Sequence, residues 1–301
     1  MIEQALYEHL QAQEVLRPYL ATYNDQMAIF NQEAPADADR LWGNGPQYGR
    51  IVFAVDIQGD PARTMGGLLM VDIMCKEDEQ YPEDIEPIVR KLIDGYFFSD
   101  RKFTVSAQWK NSSYFTEPTD QIKGCTVSFD LLAFPMLTTS DPDVIERINE
   151  WTCSNFENLH IINHKELPDN AWKPRGHESA VYWRLVNDTP AGWINDTFQT
   201  IWRIANIRCH IFSRDNATAG RVARDIATML YVDKRLLKEG ETPIMVNRRN
   251  TIDFGADPLR TGQLTVEATY GIIVHFDKDN VIEHIGYTSD NEERSLVDGE
   301  Q

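Results

Sequence analysis

The chain has 301 residues, of which 42% are hydrophobic, so its length and composition suit roughly two globular domains with a core each. Its formal net charge of −18 argues against a protein that holds duplex DNA through a basic face, although it does not exclude one that DNA slides past. No apolar run reaches the roughly 20 residues that a membrane helix needs, so no membrane span is predicted.

The first residues and the cysteines predict an intracellular protein. The segment MIEQALYEHL lacks the basic and apolar regions of a signal peptide. Cys75, Cys125, Cys153 and Cys209 are widely spaced and form no CxxC pair, which is typical of buried thiols in a reducing compartment.

The first half of the chain begins with an amphipathic helix, predicted over residues 2–20. A second helix is predicted over 81–97, where Pro82 suits the first turn and Ile85 and Val89 share one face. Between and after these helices, β-branched and aromatic residues predict strands. The remaining elements of this half are strands over 26–32, 50–57, 66–76, 102–115 and 124–135, with a loop rich in Gly, Pro and Asp over 34–49.

The second half begins with the segment SDPDVIERINEW, which has the signature of a helix start. Asp141 suits the cap, Pro142 suits the first turn, and Ile145 and Ile148 recur at helical spacing, so a helix is predicted over 142–153. The remaining elements are strands over 159–165, 179–187, 200–215, 242–254 and 262–276, a loop over 167–178, a turn over 189–196 and a helix over 218–232.

The order helix, strand, loop, strand, strand, helix, strand, strand therefore occurs twice, with a period of about 140 residues that is too long for a solenoid. We predict an α+β fold of two tandem similar domains, each a mixed, mainly antiparallel sheet with helices packed on it. The domains are placed at 1–138 and 139–277, and an acidic C-terminal arm at 278–301. Two unrelated α+β domains, or one larger fold, are the alternatives.

The candidates for a metal or nucleotide site are weak. His160 and His164 would share a strand face but lie about 13 Å apart, too far for one metal ion, and His177 follows in a loop. The glycines of GNGPQYG precede a strand, whereas a dinucleotide fingerprint needs a following helix. No GxSxG or other nucleophile signature is present. We therefore expect no metal, no cofactor and no catalytic residue.

The first half resembles the tail terminator and tail completion proteins of long-tailed bacteriophages. The likeness is carried by the opening helix MIEQALYEHLQA, then AIFNQEAP and a loop, then YGRIVFAVD, and by the strand and helix in GLLMVDIMCKEDE and IEPIVRKLIDGYF. It covers 1–135, and more faintly 142–276. Members of that family usually contain one such unit, whereas this chain contains two.

The resemblance implies a virion protein that caps the head-proximal end of the tail tube as a ring, found in the tail or neck and in the host cytoplasm during assembly. The expected partners are further copies of the chain in a trimer or hexamer, the tail tube protein, and the head–tail connector or neck proteins. DNA would pass through the lumen without specific binding. The alternatives are another neck, collar or baseplate component, a cytosolic enzyme with a site near His160 to His177, and a cytosolic adaptor.

The surfaces expected to meet partners are the loop 36–49 and the strand pair around Arg248, because each is long or locally basic on an otherwise acidic protein. The interface residues predicted on this basis are Arg40, Trp42, Arg50, Arg248, Arg249 and Arg260.

Overall fold

A computed structural model describes residues 1–57, 66–77, 80–100, 103–118, 121–135, 143–165, 167–192, 200–233, 235–236, 245–273, 287–289 and 292–294. The fold is α+β, as predicted, with two curled mixed sheets and four α-helices in these residues. None of the described helices is both long and apolar enough to cross a membrane.

In its described residues, the first half contains two helices and eight strands. The helices are α1 (Ile2–Gln11) and α2 (Pro82–Ile93), and short 3-10 turns lie at Glu14–Leu16 and Arg40–Trp42. The strands are β1 (Thr22–Tyr23), β2 (Gln26–Met27), β3 (Ile29–Asn31), β4 (Arg50–Ile57), β5 (Gly67–Lys76), β6 (Phe97–Ser99), β7 (Thr104–Glu117) and β8 (Ile122–Phe134).

The second half contains two helices and nine strands in the described residues. The helices are α3 (Val144–Asn155) and α4 (Asn216–Asp233). The strands are β9 (Leu159–Ile161), β10 (Ala171–Trp172), β11 (Ser179–Pro190), β12 (Thr200–Ser213), β13 (Arg235–Leu236), β14 (Met245–Ile252), β15 (Leu264–Ile273), β16 (Tyr287–Ser289) and β17 (Glu292–Arg294). The hairpin of β16 and β17 falls within the predicted arm, the rest of which lies outside the described residues.

Six strands of each sheet follow the same order. The first sheet runs β3-β4-β5-β8-β7-β6 and the second runs β9-β11-β12-β15-β14-β13. The first pair is parallel in both sheets, and every later pair is antiparallel. The first sheet has one more strand, β10, which pairs with β6 although it belongs to the second half of the chain.

Alternation of buried and exposed side chains places a core under each sheet. In β5 the residues Leu69, Val71 and Ile73 are at most 1% exposed, and their intervening neighbours face outward. In β15 the core residues are Leu264, Val266 and Ala268, each fully buried. Each set belongs to a separate cluster of apolar side chains, one in each half.

The helices occupy matching positions on the two sheets. Helix α1 contacts both β3 and β6, the edges of the shared six-strand arrangement, and α3 likewise contacts β9 and β13. Helix α2 packs on β5, β7 and β8, whereas α4 packs on β12 and β14. Each sheet is therefore curled, and its first helix contacts both outer strands of the shared six-strand arrangement.

Matching strands also carry matching β-bulges. In β7 the register against β8 shifts between Trp109 and Asn111, and in β14 the register against β15 shifts between Asn247 and Arg249. The extra residue is basic in both strands. Lys110 pairs with Asp130 at 3.0 Å, and Arg248 pairs with Glu267 at 3.7 Å. A bulge increases the local twist of a strand, so both sheets bend at the same place.

The opening helix ends earlier than predicted. It stops at Gln11, Gln13 is extended, and a 3-10 turn follows. Leu10 and Leu16 are both fully buried in the first core. Six residues turn a helix by about 240° beyond a full turn, so an unbroken helix would point these two side chains in different directions. The break at Gln13 lets both reach the core.

Two other predicted helix boundaries were wrong. Helix α2 ends at Ile93, and Gly95 turns the chain with φ +74°, so Phe97 begins β6 and does not extend the helix. Helix α3 is capped by Asp143, whose carboxylate accepts hydrogen bonds from the backbone N–H groups of Ile145 and Glu146. Asp141, the predicted cap, lies outside the described residues.

Two strand predictions were also wrong. The strand predicted over 159–165 ends at Ile161, because Asn163 has φ +69° and turns the chain so that Lys165 pairs back with Ile161. The loop predicted over 167–178 contains β10. Residues 193–196 of the predicted turn, and the outer ends of the strands predicted over 242–254 and 262–276, lie outside the described residues.

Candidate interaction surfaces

The histidines considered for a metal site do not converge. His160 lies on β9 with its ring 5.7 Å from the ring of Trp172, whereas His164 and His177 are exposed in turns. Among the described residues no group of three or more His, Cys, Asp or Glu side chains could hold a metal ion. Glu166, a neighbour in the sequence, lies outside those residues.

The glycines of GNGPQYG belong to a loop that leads into β4. Gly49 has φ +73°, and a Cβ atom there would lie 2.4 Å from the carbonyl oxygen of Tyr19. Gly43 also has a positive φ, and Gly45 lies between them in the loop. These glycines allow turns and close backbone contacts. The element that follows them is a strand, whereas a dinucleotide-binding loop is followed by a helix.

Loop 34–49 is ordered by its own contacts. The indole of Trp42 is 3% exposed, packs 4.9 Å from the ring of Tyr23, and donates a hydrogen bond to the carbonyl of Ala36. Asp37 accepts a hydrogen bond from the Arg50 guanidinium at 2.8 Å. Trp42 is therefore a core residue of the loop, and its ring is not available to a partner. Arg50 is mostly covered as well.

The other predicted interface residues are exposed on the surface. Arg40 is exposed at the 3-10 turn, next to Leu41, which is 45% exposed. Arg248 and Arg249 are exposed on β14, and Arg260 lies in the turn before β15, 3.9 Å from Asp257. Arg40 therefore belongs to the first half and the other three arginines to the second.

The junction between the two halves is an aromatic cluster that the sequence did not predict. Phe97 and Phe134 of the first half pack against Tyr182 and Phe212 of the second, with ring centroids 4.8–5.3 Å apart. The hydroxyl of Tyr182 donates a hydrogen bond to the carbonyl of Pro135 at 2.8 Å. The only signal in the sequence was the frequency of aromatic residues in strands, which does not identify the partners.

The loop of the second half reaches across this junction. Residues 171–172 form β10 on the edge of the first sheet. Beyond them the Lys173 ammonium donates to the carbonyl of Asp94 at 2.8 Å, and the Arg175 guanidinium donates to the hydroxyl of Tyr96 at 3.0 Å. Both basic side chains thus bind the segment that follows α2.

Strand β7 presents an open edge. Strand β6 pairs only with residues 104–106 of β7, so within the described part of the chain Asn111–Glu117 pairs with β8 alone. Tyr114 is 51% exposed and Phe115 is 37% exposed on this segment. Such an edge can accept another strand.

Several buried groups have shifted pKa values. Burial lowers the pKa of His9, whose Nε2 atom lies 2.8 Å from the carbonyl of Leu92; this hydrogen bond opposes the shift, and the nearby Arg175 charge adds to it. Burial raises the pKa of Cys75 to about 12 and that of Cys125 to about 11. The pKa of Cys209 is also raised by burial. These thiols are protonated near neutral pH, so the structure does not activate them as nucleophiles.

One polar cluster lies on the second sheet. The Asp188 carboxylate accepts hydrogen bonds from the Arg203 guanidinium and the Tyr270 hydroxyl, each at 2.7 Å. Burial and the neighbouring carboxylate raise the pKa of Tyr270 to about 12. Both hydrogen bonds go to the same carboxylate oxygen, Oδ2, and they link β11, β12 and β15.

No protein-family model matches the chain, and no curated protein or solved structure matches it significantly.

Proposed function

We propose that the chain is a structural protein of a phage virion, made of two copies of one module, that caps the head-proximal end of the tail tube as a ring. The observation that best supports the duplication is the strand order shared by the two sheets, with the same parallel first pair. The matching helix positions and bulges add to it. The modules correspond to residues 1–138 and 139–277, and the tail-terminator assignment comes from the resemblance of 1–135.

The way the modules meet supports a ring. The aromatic junction uses β6 and the end of β8 in the first module but β10, β11 and β12 in the second. Different surfaces of two similar modules are therefore in contact, which makes the arrangement head-to-tail. A head-to-tail contact repeated from copy to copy closes into a ring when its rotation divides the circle.

Joining two modules in one chain makes every second contact intramolecular, which raises its effective concentration. Three chains would supply six modules and match a six-fold tail tube. The net charge of −18 suits a lumen through which DNA slides without being held. The expected partners are further copies of the chain, the tail tube protein and the connector or neck proteins.

The test is a tube-capping assay with the tail tube protein encoded in the same genome. Addition of the purified chain during tube assembly should shorten the tubes, and electron microscopy should show added density at one end only. Density at the end that bears the baseplate would identify a different tail component. Tubes of unchanged length with no bound chain would contradict the proposal.

A further inference from the structure

We propose that the open edge of β7, together with the adjoining side of α2, binds an extended segment of a partner protein that carries basic side chains. The segment would add a strand to β7 over residues 111–117 and direct its basic side chains toward the acidic start of α2. None of these β7 residues belongs to the aromatic junction between the halves, so the surface is separate from the contact that supports the proposed ring.

The edge of β7 is open over a length that an incoming strand can use. Strand β6 pairs only with residues 104–106, and the Asp94 carboxylate accepts a hydrogen bond from the backbone N–H of Trp109 at 2.8 Å. Farther along, residues 111–117 pair with β8 alone in the part of the chain that the structure describes. Seven residues of strand extend about 23 Å, so several backbone groups can bond a partner strand.

The open segment is held in place by its own side chains. The Ser112 hydroxyl donates a hydrogen bond to the Glu86 carboxylate at 2.6 Å and accepts one from the Trp109 indole at 3.2 Å. On the other face of the strand, the ring of Phe115 lies so close to Gly124 that a Cβ atom there would overlap it. The edge is therefore formed before a partner arrives, and little backbone freedom would be lost on binding.

Aromatic side chains line the side of the edge that faces α2. Trp109 is 41% exposed and Tyr114 is 51% exposed. The Arg90 guanidinium already lies 4.8 Å from the ring centre of Trp109. Partial burial is the main cause of a raised pKa of Tyr114, and the charges of the nearby Glu86 and Glu83 add to it. Exposed rings beside carboxylates suit a cationic side chain, which both kinds of group attract.

The surroundings of this edge are strongly acidic. Residues 77–87 contain six acids and no base, and residues 116–121 contain two acids and no base. Glu83 is exposed in the first turn of α2. Two cations of the described residues near this region, Lys123 and Arg90, already form ion pairs with carboxylates. The remaining negative charge favours a partner segment with Lys or Arg and disfavours an acidic one.

The first test compares two labelled peptides by fluorescence anisotropy with the full chain. In the peptide TVRVRVT the two arginines share one face of an extended strand, and in TVEVEVT two glutamates replace them. The arginine peptide should bind saturably and at least about fivefold more tightly, because two favourable charge contacts are replaced by repulsive ones in the other peptide. Equal affinities, or no binding of either peptide, would overturn the proposal.

A charge reversal in α2 tests the acidic side of the surface. Glu83→Lys should weaken binding of the arginine peptide and strengthen binding of the glutamate peptide. Glu3→Lys makes the same change in the first turn of α1 and should leave both affinities unchanged. Circular dichroism checks that both variants fold. Affinities that do not change in a folded Glu83→Lys chain would overturn the assignment of the basic side chains to this side.

Hydrogen exchange of the wild-type chain locates the added strand. With the arginine peptide bound, backbone amides within 111–117 should exchange at least about fivefold more slowly, whereas β15 should be unchanged. Peptide binding without protection of 111–117 would place the site elsewhere and overturn the proposal. Protection of 111–117 that rises with chain concentration in the absence of peptide would overturn it too, because a second copy of the chain would then cover the edge.

Discussion

The junction between the halves can be tested by Phe134→Ala. Phe134 is fully buried, and its ring lies 5.3 Å from the rings of both Tyr182 and Phe212 and 5.7 Å from that of Phe97. Truncation of a buried Phe to Ala costs about 3–5 kcal/mol, the sum of lost apolar transfer and the cavity left behind. Two of the three ring partners belong to the second half, so most of this loss should fall on the junction and not on either core.

Hydrogen exchange followed by mass spectrometry measures which strands lose stability in Phe134→Ala. We expect faster exchange in β10 and around Asn163, whose side-chain amide donates to the carbonyl of Phe134, while β15 keeps its protection. The control is Phe53→Ala, which removes a fully buried ring from the first core. It should accelerate exchange throughout the first sheet. A uniform increase in both sheets of Phe134→Ala would refute the reasoning, because it would mean that the two halves unfold as one unit.

Three further predictions concern a helix cap, a histidine and the cysteines. Asp143→Ala should lower the free energy of unfolding by about 1 kcal/mol in urea titrations, because α3 loses the acceptor for two N–H groups; Asp143→Asn, which keeps a capping oxygen, is the control. As the pH falls below the ordinary His value of 6.5, wild type should lose stability, since the lowered pKa of folded His9 means that the unfolded chain binds the proton more readily; His9→Gln should lose less. In the folded chain a thiol reagent should modify Cys153 first, because it is partly exposed, and the three thiols that are buried should react only after unfolding: Cys75, Cys125 and Cys209.

Each of these predictions has a contradicting result. Equal losses in Asp143→Ala and Asp143→Asn would mean that the capping oxygen of Asp143 does not stabilise α3. An identical pH dependence in wild type and His9→Gln would show that other groups set the acid sensitivity. Equal rates of modification for all four thiols in the folded chain would contradict the burial of the core cysteines.

The sequence predicted the elements whose pattern is local. Residues 50–57 and 66–76 are largely apolar segments with β-branched or aromatic residues, and they form β4 and β5 at nearly the predicted bounds. Helices α2 and α4 were predicted from one apolar face and are present within a few residues of their predicted ends. In these segments propensity, periodicity and burial agree.

The sequence did not predict the features that depend on contacts between segments far apart in the chain. Strand β10 is two residues long and forms because β6 lies beside it, yet the two segments are some seventy residues apart in the chain. Trp42 was predicted at an interface because it lies in a long loop, but its indole is buried and packs against the ring of Tyr23.

The central claim, that two copies of one module build a ring, is tested most directly by native mass spectrometry of the full chain together with negative-stain electron microscopy. The account predicts a closed trimer whose images show six similar lobes around a central opening. A hexamer of chains would keep the ring but leave the duplication without its proposed role. A chain that stays monomeric alone and in the presence of tail tubes would contradict the account.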